Sequence, residues 1–263
     1  MNRLLIANFM RIKKNKLFWA LCGVMALVSL TMVVNLIANN ATQIDGAANI
    51  FVIPAEIAAA IFISVFFGTE YGDGTIRNKL IAGHDRRQIY FANAIMSTVC
   101  AFAMFVSYIL PVMIFGFSFV GLPTVKTIGN VAVGIVTLFA FCSIFTMVSM
   151  IYSNKTGATV INIVIAFLLL LAALILTSYL TIPEFYPSYG MGESMSYVRN
   201  PNYVSGIKRT VLQILVDLLP SGHSIQFIMG VSRPLWALSL YAVGVCTACS
   251  IVGAVVFSKK DIK

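Results

Sequence analysis

Charged side chains are scarce in this chain of 263 residues. Asp, Glu, Lys and Arg make up 10% of it, whereas hydrophobic residues make up 59%. A soluble domain carries about 25% charged residues, so this chain has too few polar groups to cover a surface in water. The composition therefore predicts an integral membrane protein. The formal net charge of +9 indicates cationic loops at the inner face of a membrane rather than a nucleic-acid-binding surface.

Signatures of catalysis are also missing. The sequence contains no GxxxxGK[ST] phosphate loop, no HExxH and no serine in a GxSxG context. Its five cysteines all lie in apolar segments, and an odd number there disfavours a disulfide framework. The CxxC of Cys246 and Cys249 is read as packing on one helical turn. We therefore predict a non-catalytic chain that binds no cofactor or metal.

Six apolar segments are long enough to cross a bilayer, which takes about 20 residues of helix. Backbone polar groups find no water in lipid, so these segments must be helical. The predicted fold class is an all-α polytopic membrane protein that forms one transmembrane domain over residues 1–263. Most Lys and Arg residues lie on the side that holds both termini, which places the termini in the cytoplasm. The predicted spans are 17–38, 47–67, 92–120, 128–152, 158–180 and 235–257.

Two connecting segments have patterns of their own. Residues 2–16 combine apolar positions near helical spacing with basic ones, which predicts an amphipathic interfacial helix; an unstructured basic stretch is the alternative. The segment 181–234 is predicted to be external and begins as an irregular loop rich in Pro, Tyr, Gly and Ser. Residues 211–230 then predict two short helices that meet at 220–222 and dip into, or lie on, the outer leaflet. A seventh span is the alternative, but it would move the basic C-terminus outside.

Glu56 is the single ionisable group within the apolar flanks of the most charged stretch. An ionisable residue in a span is a functional candidate by default, as a contact for substrate or for a partner helix. The alternative is that Glu56 lies near the outer interface and is hydrated. Asn35 is a weaker candidate for the substrate path or for a hydrogen bond between helices.

The charged stretch itself, residues 66–90, reads FFGTEYGDGTIRNKLIAGHDRRQIY. Thr75 can cap a short helix that ends at Gly83. Ile76 and Leu80 are four residues apart and so share one face, with the basic residues off that face. The pattern predicts a small helix with an apolar ridge that lies parallel to the membrane.

These features together resemble the permease subunits of ABC-2 type ABC transporters, which are bacterial exporters of the type V fold. The resemblance covers the six spans, the amphipathic N-terminal helix and the 66–90 stretch. The external sequence DLLPSGHSIQF at 217–227 is similar to the proline–glycine turn of that family, although His223 stands where the family often has Gln. The residues of the 66–90 stretch that match the family pattern are Glu70, Tyr71, Gly74, Thr75, Ile76, Arg77, Leu80, Gly83, Arg86 and Tyr90.

The resemblance implies that residues 74–84 are a coupling helix that docks on a separate ATPase. It implies two ATPase subunits that bind ATP and Mg, a second permease copy or a paralogue, and a location in the bacterial plasma membrane. Glu70 would pair with an arginine and lock the ends of the helix. The remaining coupling residues would be Thr75, the buried anchors Ile76 and Leu80, and Arg77, Lys79, Arg86 and Arg87, which would set register and encounter rate.

The cargo expected from the apolar spans is an amphipathic peptide of the antimicrobial type or a lipid-like molecule. Two other functions were weighed. A membrane-embedded enzyme would need paired acids, a Ser–His arrangement or a metal cluster within the spans. A secondary transporter would show inverted repeats and several intramembrane charges. The sequence shows neither pattern.

Overall fold

Long apolar helices form most of the structure, a computed structural model that describes residues 1–189, 195–231 and 233–260. Residues 190–194 of the predicted external loop, residue 232 and the tail residues 261–263 lie outside this description. The helices are α1 (Asn2–Lys13), α2 (Lys16–Ala38), α3 (Asp45–Asn49), α4 (Val52–Gly72), α5 (Thr75–Ile81), α6 (Arg86–Phe119), α7 (Val125–Ile151), α8 (Lys155–Thr181), α9 (Gly206–Leu218), α10 (Pro220–Ile228) and α11 (Leu235–Lys259).

The prediction of an all-α protein with six spans is confirmed. Within the described residues, six helical segments are long and apolar enough to cross a membrane: α2, the α3–α4 unit, α6, α7, α8 and α11. An even number of crossings puts both termini and the α4–α6 connection on one face, here called the terminal face. The α9–α10 pair is bent by 106° and, if counted as one span, would make seven. The third span begins earlier than predicted, because α6 already starts at Arg86.

The core lies around α4 and α7. In the most apolar part of α4, 67% of residues are buried inside the protein, and 56% are in α7, against 17% in α8. Phe51, Phe62 and Phe141 are among the largest side chains that fill this core. A Cβ at Gly68 would lie 2.6 Å from the Cα of Lys155, so a glycine lets α4 approach the start of α8 closely. The outer helices α2, α8 and α11 keep broad apolar surfaces exposed.

The N-terminal helix is amphipathic, as predicted. Its buried face carries Leu4, Asn8 and Ile12 at intervals of four residues, whereas Ile6 and Phe9 are exposed. This helix packs against α6. The Asn15 side chain then accepts a hydrogen bond of 3.2 Å from the Phe18 amide and caps α2. The Trp19 Nε1 group of α2 also donates a hydrogen bond of 2.9 Å to the Lys13 carbonyl, so two side chains fix the turn between α1 and α2.

The first part of the 181–234 segment differs from its prediction as an irregular loop. Strands β1 (Phe185–Tyr189) and β2 (Met195–Arg199) form an antiparallel hairpin in which Phe185 pairs with Arg199 and Tyr189 pairs with Met195. Aromatic residues and valine favour strands, and their preference outweighs the nearby prolines and glycines. The two short helices before the last span are confirmed as α9 and α10, with the break at Leu219.

Candidate functional site

Two glycines bound the short helix α5 on the terminal face. Gly74 has φ +65° and Gly83 has φ +84°, a left-handed conformation that glycine adopts without strain. Gly74, not Thr75, is the N-cap residue, and no side chain caps the helix. The prediction of Thr75 as the cap was therefore wrong. Gly83 does end the helix, and its amide donates a hydrogen bond of 2.9 Å to the Leu80 carbonyl.

The inner face of α5 packs on the protein itself. Ile76 is only 1% exposed and belongs to the main hydrophobic core, and Leu80 is half-buried against the same core. The prediction of an anchor for a partner needs correction for Ile76, because its side chain is buried in the core. For half-buried Leu80 it stays a prediction. Lys79 is also buried, so it does not lie at the rim of a docking surface.

A buried carboxylate beneath α5 gathers four elements. Glu70, near the end of α4, forms ion pairs with Arg11 of α1 and with Lys79 of α5, whose Nζ lies 2.7 Å from Oε1. The Asn93 amide of α6 donates to Glu70 Oε2 at 3.0 Å. Asn8 of α1 donates to Asn93 Oδ1 at 2.7 Å and accepts from Lys79 Nζ at 2.9 Å. We call these five residues the Glu70 network.

Charge in the Glu70 network is compensated within the protein. Glu70 is fully buried and meets two cations, as a buried charge requires. Burial lowers the pKa of Lys79 below its ordinary value, and the Glu70 carboxylate opposes that shift. The expected pairing of Glu70 with an arginine is present, but the partner is Arg11 of α1 rather than an arginine of the 66–90 stretch.

The outer face of the same connection is mostly polar, with Ile81 and Ala82 as exposed apolar residues. Arg77, Asn78 and Arg87 are exposed, and Ile81 is 77% exposed. An open groove of about 550 Å³ lies beside this face and is lined by Leu80, residues 84–88 and Ser258 at the end of α11. Arg86 lines the groove and donates a hydrogen bond to the Lys260 carbonyl. It ties the start of α6 to the end of α11, which differs from its predicted role at a docking rim.

At the opposite end of α4, Glu56 is 1% exposed. The Ser221 hydroxyl of α10 lies 2.9 Å from Oε1 and 3.1 Å from Oε2. Glu56 is shielded from bulk water and contacts another helix, which favours the prediction of a helix contact over the alternative of a hydrated side chain. Asn35 is exposed, and its Oδ1 accepts a hydrogen bond of 3.0 Å from Asn39 at the end of α2. This contact lies within one helix end, so the prediction of a bond between helices was wrong for Asn35.

A family model described as "ABC-2 family transporter protein" matches residues 4–170. The chain belongs to the ABC-2 transporter family. The match runs from α1 into α8 and includes all five residues of the Glu70 network. The chain is thus a multi-pass membrane permease of an ABC transporter, from a family that is generally non-catalytic and works with ABC ATPase subunits. A comparison with curated proteins gave no match.

A second polar cluster fixes the bend between α9 and α10 of the permease. Asp217 is fully buried and pairs with Arg233. The Gln226 amide donates to its Oδ1 at 3.2 Å, and His223 Nε2 lies 2.7 Å from its backbone carbonyl. His223 Nδ1 also lies 2.9 Å from the Thr137 hydroxyl of α7. The bend is therefore hydrogen-bonded both internally and to the core.

Sequence reasoning missed most partners in these clusters. Asn8, Arg11 and Asn93 were not singled out, although Asn8 sits between Leu4 and Ile12 on the buried face of α1. A polar residue in that position is a usable signal, because the buried face of an amphipathic helix is otherwise apolar. Ser221 carried no comparable signal, since it lies 165 positions from Glu56.

Proposed function

We propose that this permease is part of an ATP-driven exporter and that its α4–α6 connection receives force from a separate ATPase. The observation that carries the proposal is the two-sided character of α5. Its inner side is fixed to the core through Ile76 and Lys79, whereas Arg77, Asn78 and Ile81 face outward. A short rod that is rigidly attached on one side and open on the other is suited to transmit a push.

The Glu70 network supplies the attachment. Movement of α5 pulls on Glu70 through Lys79, and Glu70 belongs to α4, one of the two central helices. Asn93 carries the same contact to α6. Buried polar networks with every group paired are rigid, and close-packed interiors transmit strain. Closure of two ATPase subunits on ATP and Mg would therefore reach the second and third spans together.

The exposed side chains of α5 and its flanks define the proposed docking surface for the ATPase. Ile81 replaces Ile76 as the main apolar anchor, because it is the exposed isoleucine of α5, and Leu80 adds apolar surface in the groove. Central apolar anchors carry much of the binding energy in interfaces. Arg77 and Arg87 flank it and would set encounter rate and register. The groove beside residues 84–88 offers a place for a projecting partner residue.

The remaining parts of the proposal concern the assembly. The excess of Lys and Arg on the terminal face supports a cytoplasmic position for α5 and both termini, in the plasma membrane of a bacterial cell. Two permeases, identical or paralogous, would enclose the path, with the exposed apolar faces of the outer helices available for contact. An amphipathic peptide or lipid-like cargo suits such apolar walls.

The test uses the ATPase that co-purifies with the unaltered permease. Ile81→Asp combined with Arg77→Glu should weaken co-purification by about 30-fold, which corresponds to 2 kcal/mol for a hot spot. Val125→Asp is the matched control, because Val125 is 86% exposed at the opposite end of the bundle. Unchanged ATPase recovery with the double variant would refute the docking surface. Ile76→Asp is uninformative, since it disrupts the core.

A further inference from the structure

Glu56 differs from the other buried carboxylates of the described residues. Glu70 and Asp217 each form an ion pair with at least one basic side chain. Glu56 is equally buried, but among the described residues its side chain has a single hydrogen-bond partner, the hydroxyl of Ser221, and no ion pair. A hydroxyl supplies one proton, which the two carboxylate oxygens must share.

This arrangement is costly for an ionised carboxylate. Moving a carboxylate out of water costs several kcal/mol unless a cation and further donors compensate it. Two states relieve that cost: a proton on Glu56, or a cation from outside the chain. Ionisable groups at membrane depth face the bundle interior or a cavity and usually mark a binding site or a path.

The space beside Glu56 favours the second state, a cation from outside the chain. Glu56 lines a pocket of about 100 Å³ between α4 and α8, well above the roughly 10–15 Å³ that one small polar group such as a water needs. Its other lining residues are all apolar: Ile57, Ala60, Ile163, Ala166, Phe167 and Leu170. Phe167 is 60% exposed, so the rim of the pocket meets the apolar outer surface of the bundle. A protonated Glu56 that only held α4 and α10 together would not need a pocket that opens to the outer surface.

We propose that Glu56 binds the protonated primary amine of an amphipathic ligand whose apolar part lies between α4 and α8. A primary ammonium is small enough for the pocket and can donate hydrogen bonds to the Glu56 oxygens. The apolar lining then holds the adjoining hydrocarbon. Reading this ligand as the cargo rests on the proposed transport function, whereas its binding does not.

The position of the site fits entry from the bilayer. Glu56 lies in the half of the α3–α4 span that is nearer to Asp45. An amphipathic amine in that leaflet therefore reaches the carboxylate from the bilayer, through the opening beside Phe167. Ser221 stands at the α9–α10 bend and donates to the same carboxylate, so Glu56 connects the bound ammonium to that bend.

The experiment measures binding of radiolabelled dodecylamine to the permease alone in phosphatidylcholine nanodiscs, corrected for empty discs. Glu56→Gln should weaken binding by at least about tenfold, equivalent to 1.4 kcal/mol. Dodecanol should bind the unaltered and altered proteins equally. Glu184→Gln is the matched control, because it makes the same chemical change at a carboxylate that is 42% exposed. No ATPase or ATP is present, so a failure of coupling leaves this result untouched.

A second variant covers the case in which Glu56→Gln fails to fold. Ile163→Trp fills the pocket from its rim and leaves the carboxylate in place, so it should also abolish dodecylamine binding. Phosphatidylethanolamine added to the nanodiscs identifies the source of the amine ligand. If it competes with dodecylamine, the ligand is a lipid amine. If it does not compete, the ligand is a free amphipathic amine. Equal dodecylamine affinity of the unaltered protein and Glu56→Gln would overturn the proposal and make Glu56 a protonated structural acid.

Discussion

Glu70 is the residue that holds the helices of the terminal face in their relative positions. Its two oxygens receive contacts from α1, α5 and α6, so one carboxylate defines the relative positions of four elements. A buried carboxylate of this kind stabilises the fold only while its basic partners are present. Removing the anion leaves two basic side chains next to one another in a buried place, whereas removing one cation still leaves the anion paired.

Glu70→Gln should therefore be more harmful than Lys79→Gln. We expect Glu70→Gln to cost about 3–5 kcal/mol of stability, because Arg11 and buried Lys79 lose their shared carboxylate. Lys79→Gln should cost less, since Arg11 still pairs with Glu70. Thermal unfolding of the detergent-purified variants compares the two directly. Equal losses, or a larger loss for Lys79→Gln, would contradict this account of the Glu70 network.

The sequence indicates which residues matter at this scale better than it indicates their partners. Glu56 and Glu70 stand out because a carboxylate within or beside an apolar segment is unusual. Their partners Ser221 and Arg11 are 165 and 59 positions away, and no local spacing encodes such distances. Only the packing of the helices brings them together, which is why Glu70 was expected to pair with an arginine of its own stretch.

At the scale of elements, the existence of the short helix α5 was predicted correctly, but the side that faces the core was not. Its ends were predictable from glycine, but its orientation was not. Ile76, Leu80 and Ile81 cover more than one face of a helix of seven residues, so the apolar pattern fits two orientations. The buried partner of Lys79 decides between them, because pairing with Glu70 draws Lys79 and its neighbour Ile76 inward.

The α9–α10 bend depends on the absence of a side chain at Gly222. A Cβ there would lie 2.0 Å from the Val216 carbonyl oxygen. Gly222→Ala should therefore cost about 1–3 kcal/mol or more, as other overpacking changes do, and should displace the neighbouring Ser221. Gly244→Ala is the control, because a Cβ at Gly244 meets nothing within 4 Å. It should be neutral or stabilise α11 by up to about 1 kcal/mol.

Melting temperatures of the two glycine variants provide the measurement. A Gly222→Ala protein as stable as the Gly244→Ala protein would mean that the bend relaxes without strain. The comparison also bears on Glu56, whose described hydrogen bonds both come from Ser221. A loss of dodecylamine binding in Gly222→Ala would follow from the same displacement.

At the scale of the whole molecule, α4 carries a buried glutamate near each of its two ends. Glu56 and Glu70 are both on α4 and are 14 residues apart, or about 21 Å along a helix. The Glu70 network fixes one end to α5, and Ser221 holds the other end to the α9–α10 bend. A shift of α4 would therefore change both ends at once, as the proposed coupling between α5 and the proposed site at Glu56 requires.

This mechanism needs α5 on the cytoplasmic side, and labelling of single cysteines tests that orientation. In a background with the five native cysteines replaced, a membrane-impermeant maleimide should label Ile207→Cys in intact cells, since Ile207 is 84% exposed beyond α8. Asn78→Cys, on the exposed face of α5, should react only in inverted vesicles. Fully buried Ala140→Cys should stay unlabelled in both. Reaction of Asn78→Cys from outside intact cells would place α5 beyond the reach of an ATPase.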